Sequence, residues 1–201
     1  MNINLYFLLF LINLTVVNSL SNSEINLIIN CHNNYRSLLA NGKAQNKTGL
    51  MPKGKNIKQL KYSKELEKSS ANWASKCLIK HSYGNNGENL FMSTNIKLSI
   101  KNALNKSCNS WWNELKGIGM QGNLIFDQSF KGNGHSTQMA WAKTTKIGCA
   151  VNRCPNSKWK TFVVCQYKPH GNVLNKSIYQ KGQPCTGCGK EGCNYSNGLC
   201  K

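Results

Sequence analysis

From residue 24 the apolar positions step around a helix. Ile25, Ile28, Ile29, Tyr35, Leu38 and Leu39 recur at near-helical spacing, and Asn41-Gly42 stops the run, which predicts a helix over 24–40. Glycine and proline break any periodicity through 43–62, which reads as a long loop. A second helical stretch, SKELEKSSANWASKCLIKH (63–81), has Ser63 at its cap and Glu65 and Glu67 in its first turn, where the helix dipole favours acids. Its Leu66, Ser70, Trp73, Cys77 and Leu78 share one face. A third helix includes IKNALNKSCNSWWNELKG, with Trp111, Trp112 and Leu115 near its end.

Two later runs change period. KIGCAV (146–151) and KTFVVCQY (160–167) are rich in β-branched residues and flank the turn CPNSK, which predicts a hairpin. A hairpin centred on Ser157 sets residues opposite one another when their numbers sum to 314, and Cys149 and Cys165 meet that condition. Opposed residues at a non-hydrogen-bonded site have Cα atoms about 4.5 Å apart, within the reach of a disulfide. Three helices beside such strands indicate an α+β, layered αβα domain. From 173 onward there is almost no apolar material, so 173–201 reads as a disulfide-held tail.

The start of the chain has a different character. Leu5 to Val17 is an apolar run too short and too terminal for a membrane span, and Val17 and Ser19 supply small residues before a cut. Residues 1–19 therefore read as a signal peptide, despite lacking Lys or Arg, and the mature protein is expected to be secreted and extracellular. The expected organisation is a leader at 1–19, one domain at 20–172 and a cysteine-rich tail at 173–201. Ten cysteines in an exported chain indicate five disulfides. The Cys185-x-x-Cys188 pair would suggest zinc in a reducing compartment, but here disulfides are expected instead. Asn46, Asn105, Asn175 and Asn194 lie in glycosylation sequons.

Charge alters the picture only slightly. Twenty-six basic against seven acidic residues give +19, densest over 42–61, and suggest weak attraction to sulfated glycans. The lysines form no block of five, and an Asn-, Lys- and Ile-rich composition can arise from base composition alone, so no specific nucleic-acid site is expected.

Acids and histidines are scarce, so their placement matters. HSYGNNGENL sets His81 and Glu88 seven residues apart around a glycine-bearing loop, WWNEL puts Glu114 behind two tryptophans, and GHSTQMAW puts His135 where the chain turns into a core. Nucleophilic schemes fit poorly. Ser136 beside His135 is not a triad, there is no G-x-S-x-G, and every cysteine is expected in a disulfide. If they converge, two His and two Glu would make an acid/base cluster or a partial metal site. The alternative is four unrelated surface or capping residues.

The motifs together resemble the CAP superfamily: cysteine-rich secretory proteins, antigen 5 and pathogenesis-related class one proteins, also called SCP/TAPS. HNNYR (32–36), LKYSKELEKSSANWASKC (60–77), GENL (87–90), GHSTQMAW with KIGCA, and FVVCQYKPHGN (162–172) match its signatures in order. Cys31, the cysteine before WWNE and the short PCTGCG tail look most like venom-allergen-like secreted proteins of parasitic nematodes. The resemblance implies a three-layer αβα sandwich with a short disulfide-rich tail. It also implies that His81, Glu88, Glu114 and His135 form a cleft tetrad, with His81 and His135 holding a divalent ion such as zinc weakly. It implies the pairs Cys77–Cys154, Cys149–Cys165, Cys185–Cys193 and Cys188–Cys200, which leaves Cys31 and Cys108 for each other. His170 departs from the family pattern, and His32 reads as structural. A secreted, non-catalytic effector or binding protein at a host–parasite interface is the expectation. Alternatives are a sterol or fatty-acid carrier using Ile118, Met120, Leu124, Ile125 and Phe126, and a metal-dependent hydrolase using Glu88 or Glu114 as base.

Overall fold

Ser21 and Glu24 open the first helix as a capping box: Ser21 Oγ accepts the Glu24 N–H, and the Glu24 carboxylate accepts the Ser21 N–H at 2.8 Å. The computed structural model describes residues 19–120, 122–130, 132 and 134–201, so the leader expected over 1–19 lies outside the described residues except for Ser19. The helices are α1 (Asn22–Ala40), α2 (Lys64–Ala74), α3 (Ile100–Gly117) and α4 (Gly134–Ala140). The strands are β1 (Lys61–Tyr62), β2 (Gly87–Ser93), β3 (Lys146–Arg153) and β4 (Thr161–Lys168), with a small β5 (Cys193–Asn194) and β6 (Leu199–Cys200) near the C-terminus.

The main sheet has the order β1-β3-β4-β2, with β1 parallel to β3 and the other pairs antiparallel. Successive side chains on a strand point to opposite faces. Ile147, Cys149 and Val151 of β3, with Val163, Cys165 and Tyr167 of β4, therefore join one core with α1, α3 and α4. The alternate residues Ala150, Phe162 and Val164 join a second core with Ala74 of α2. The result is an αβα sandwich. Cys149 lies opposite Cys165, with Cα atoms 4.1 Å apart. Gly148 faces α2, and a Cβ there would lie 2.2 Å from the Glu67 backbone nitrogen. Only glycine lets the helix sit so close to the strand.

Three expectations need revision. The second helix stops at Ala74 rather than 81, because the chain turns through positive φ at Cys77 to reach the Cys77–Cys154 disulfide. The GENL stretch, which the sequence reading sets around a glycine-bearing loop, is the start of edge strand β2, paired along its length with β4. The tail is held by more than disulfides: Ile178, Tyr179 and Leu199 are at most 1% exposed and belong to the main core.

His32, in α1, is fully buried, and its neighbours fix its tautomer. Nδ1–H donates to the Ile28 carbonyl at 2.8 Å, and Nε2 accepts the Tyr167 hydroxyl at 3.0 Å. Burial pulls its pKa down to about 4, helped by the nearby Arg36 charge and opposed by the Ile28 hydrogen bond. The unfolded chain, with His32 near 6.5, binds the extra proton first. His32 therefore contributes stability above about pH 6.5 that is lost as pH falls toward 4, in total about 3 kcal/mol. Urea unfolding of wild type and His32→Gln across that window should show the variant's pH slope reduced. An unchanged slope would remove His32 as the cause.

Candidate functional site

Four side chains from four different segments meet at the end of β2. His81 comes from the loop after α2, Glu88 from β2, Glu114 from the last turn of α3 and His135 from the first turn of α4. They line one cleft of about 320 Å³ with Gly132, Gly134 and Asn172.

Each histidine is paired with one acid. His81 Nδ1 lies 3.0 Å from Glu88 Oε1, and His135 Nδ1 lies 2.5 Å from Glu114 Oε1. His81 is 53% exposed and His135 32%, whereas the Glu88 side chain is only 5% exposed. Burial alone would push the Glu88 carboxyl up. Hydrogen bonds from His81, Gln166 and Ser82 outweigh it and hold the group below the usual carboxylate range, so Glu88 is an anion at neutral pH. Nδ1 of each ring therefore faces a carboxylate, and Nε2 is the ring nitrogen turned away from that acid. A carboxylate behind an imidazole is the arrangement that orients a metal-binding histidine.

Local packing explains why GHSTQMAW can be polar and still enter the core. Glu114 caps the start of α4, accepting the N–H groups of His135 at 3.0 Å and Ser136 at 3.1 Å. Trp111, one turn before Glu114, stacks on the His135 ring at 6.0 Å and donates its indole N–H to the Leu90 carbonyl. Gln138 is 1% exposed, and its side-chain carbonyl accepts the Gly171 N–H at 2.8 Å. Gly87 passes so close that a Cβ would lie 2.1 Å from Gln138 Oε1, which accounts for the glycine of GENL.

Two positioning residues went unassigned in the sequence. Asn172 accepts the Thr137 hydroxyl at 2.7 Å and donates to the Gly134 carbonyl at 2.8 Å, pinning α4 from the cleft side. Arg36, inside HNNYR, is fully buried and grips the far end of α4. A signal existed for Arg36: the chain uses arginine only twice among 26 basic residues. Nothing in the spacing of PHGN marks Asn172.

The remaining candidates lie elsewhere. Cys185, Cys188 and Cys193 place their sulfurs within 4.8 Å of one another, but Cys185–Cys193 and Cys188–Cys200 are disulfides and offer no thiolate. Cys31–Cys108, Cys77–Cys154 and Cys149–Cys165 complete the set, and no cysteine among the described residues is free. Met120, Leu124 and Phe130 of the 117–130 loop belong to the main core; of that loop's large apolar side chains only Ile118, at 46%, is markedly exposed. Ile125 and Phe126 are partly buried, and Phe126 stacks on Phe130. The 42–61 lysines do not converge, since Lys58 pairs with Glu191 at 2.6 Å and Lys53 reaches Gln183. His170 is exposed and lies outside the cleft, beside Trp141 and Pro169. Both polar ends of Asn46 bond the Met120 backbone, at 2.8 and 3.0 Å, so the amide nitrogen that would carry a glycan is already engaged. Asn105 and Asn175 are exposed and Asn194 is half-buried.

A family model described as the cysteine-rich secretory protein family, CAP, matches residues 29–167. Ancylostoma secreted protein of Ancylostoma caninum is 34% identical over 192 residues, covering 90% of this chain; the chain spans only 45% of that relative. Venom allergen 5.02 of Dolichovespula maculata is 32% identical over 175 residues, covering 84% of this chain and 81% of the allergen. Among solved structures, NaASP2 with Zn²⁺ superimposes with a TM-score of 0.86 at 36% identity, covering 92% of this chain and 98% of that one.

Proposed function

Because the chain belongs to the cysteine-rich secretory protein (CAP) family, we propose that it is a secreted, non-catalytic binding protein, acting at a host–parasite interface, whose cleft takes a divalent cation such as Zn²⁺. The single observation that carries the metal reading is the paired backing of both cleft imidazoles by carboxylates, His81 by Glu88 and His135 by Glu114. The donor set fits zinc: two neutral imidazoles, oriented by acids, in an open cleft. His81 and His135 would hold the ion, with Glu88 and Glu114 orienting them. With two protein ligands the affinity is modest, well short of a closed structural site. A relative solved with Zn²⁺ is consistent with this choice of ion.

Two observations among the described residues support the non-catalytic reading. Ser136 is fully buried, and its N–H is spent on Glu114. The cysteines of the described residues are all in disulfides. The likeness to a secreted nematode protein favours the extracellular, host-facing setting, and no helix among the described residues is long and apolar enough to cross a membrane. The 117–130 loop gives a lipid little to hold, since most of its apolar side chains pack inward.

Calorimetry decides the metal reading. Wild type should bind Zn²⁺ at about pH 7.5 and more weakly at about pH 5.5, because protons and zinc compete for Nε2. A His81→Ala, His135→Ala double variant should lose at least about tenfold in affinity while keeping its melting temperature, since disulfides rather than the ion hold the fold. Undiminished zinc binding by the double variant would place the site elsewhere. Zinc-dependent ester or peptide hydrolysis that disappears in Glu88→Gln or Glu114→Gln would overturn the non-catalytic reading.

A further inference from the structure

Glu67 of α2 is a buried acid that the cleft does not use. Its side chain is 6% exposed; Oε2 takes the Lys64 ammonium at 2.8 Å, and the Tyr62 hydroxyl also donates to it. Its other oxygen, Oε1, accepts the backbone N–H of Leu20 at 3.1 Å, across 47 residues of chain. The Leu20 side chain is 5% exposed and belongs to the main core. Ser21, next in the chain, is the N-cap of α1.

This corner of the fold bears on where the leader ends. Small residues stand one and three places before two possible cuts: Val17 and Ser19 before a cut at Leu20, and Ser19 and Ser21 before a cut at Asn22. The second cut would strip Leu20 from the core and remove the capping box of α1. The first keeps both. We propose that secretory processing cuts between Ser19 and Leu20, and that the new Leu20 α-ammonium pairs with the buried Glu67 carboxylate, so that maturation completes an ion pair tying the start of α1 to α2. The proposal rests on reading residues 1–19 as a leader, and is independent of the cleft.

The chemistry is peptide hydrolysis by a signal peptidase with water as co-reactant. Water adds across the Ser19–Leu20 amide, the Ser19 carbonyl leaves as the leader's carboxylate, and the Leu20 nitrogen takes up protons to become an ammonium. Before the cut that nitrogen offers Glu67 one neutral N–H; afterwards it offers a charged donor, and charge-assisted bonds are about twice as strong. The charged and titratable groups facing Glu67 are Lys64, Tyr62 and, after the cut, the Leu20 amine; Glu24 is turned to Ser21. Burial works to raise the Glu67 carboxyl, but hydrogen bonds from Lys64, Tyr62 and Leu20 outweigh it, so an anion waits for the amine. Lys64 is 63% exposed and free to yield.

Sequencing the N-terminus of the protein secreted from eukaryotic cells should give Leu20 as the first residue. A first residue of Asn22, or any other, overturns the cut. The pair is tested by amine labelling of the native secreted protein at neutral pH, read by mass spectrometry. The Leu20 α-amine should react about tenfold more slowly in wild type than in Glu67→Gln, because a one-unit rise in amine pKa lowers the neutral fraction tenfold. Equal rates overturn the ion pair. Should Glu67→Gln not fold, a form retaining Asn18-Ser19 ahead of Leu20 provides the second measurement. It should unfold several degrees below the form beginning at Leu20, and an equal or higher unfolding temperature overturns the pair.

Discussion

Replacing Arg36 with methionine should destabilise the protein by about 4 kcal/mol or more, measured by urea unfolding. Its guanidinium is fully buried, and the hydrogen bonds found for it all go to main-chain carbonyls: Lys58 at 2.8 Å, Met139 at 2.8 Å, Trp141 at 2.9 Å, and Ala142 and Thr144 at 3.2 Å. Burial pulls its pKa down to about 9, opposed by the interaction with Tyr167, so the cation persists at neutral pH among carbonyl dipoles. Methionine would fill much of the volume but donate nothing. The Trp141 and Ala142 carbonyls have second donors in the N–H groups of Thr144 and Lys58. Those of Lys58, Met139 and Thr144 lean on Arg36. Three orphaned acceptors, buried at Met139 and Thr144 and part-buried at Lys58, at about 1–3 kcal/mol each set the magnitude. Arg36→Lys should rescue little, since one ammonium cannot span a fork of five acceptors. The Met139 and Trp141 carbonyls lie at the end of α4 and just beyond it, so a folded variant should also misplace His135 and bind zinc more weakly. A loss under about 1 kcal/mol would mean that water or a repacked backbone satisfies those carbonyls.

Much of this architecture was legible because it is periodic. The α1 stripe of Ile25, Ile28, Ile29 and Leu39 marked a helix, and the CPNSK turn fixed the register that sets Cys149 against Cys165. β2 escaped because its first three residues, Gly87, Glu88 and Asn89, are there for a helix contact, a histidine and a hydrogen bond to the His135 carbonyl, rather than for strand propensity. The second helix was drawn too long because Cys77 and Leu78 fit its face, while the backbone reversal at Cys77 leaves no trace in side-chain polarity. The tail looked empty of apolar residues because a core can be extended by three well-placed ones, Ile178, Tyr179 and Leu199. In the cleft, His81 and Glu88 share one loop-to-strand segment, so their proximity is nearly local. Glu114 and His135 are 21 residues apart and meet only because α3 packs on α4. Nothing in spacing alone brings them together. Their identification came from the order of the motifs, and the geometry explains the residue types: an acid on α3 that caps α4 also backs its histidine.

Removing the Cys31–Cys108 disulfide, as a double alanine variant, should cost about 4–5 kcal/mol, against about 3 kcal/mol for Cys149–Cys165. The two bridges close segments of 77 and 16 residues, respectively. In the chain-entropy description the longer loop gains more from being tied in the unfolded state, by about 1.4 kcal/mol for this ratio of lengths. Local packing works in the same direction. Cys149 and Cys165 sit opposite one another in a hairpin already held by its ladder, whereas Cys31 and Cys108 join α1 to α3. That helix pair keeps some support without the bridge, since Tyr35 stacks on Trp112 at 4.8 Å and its hydroxyl donates to Asn109 at 2.7 Å. For a domain with about 5–15 kcal/mol of total stability, losing the longer bridge should leave a marginal fold, and losing the shorter one a weakened but robust fold. Guanidinium unfolding of both double variants under non-reducing conditions measures the difference. If Cys149→Ala, Cys165→Ala costs as much as Cys31→Ala, Cys108→Ala or more, core packing around the sheet, rather than restriction of the unfolded chain, governs what these disulfides contribute.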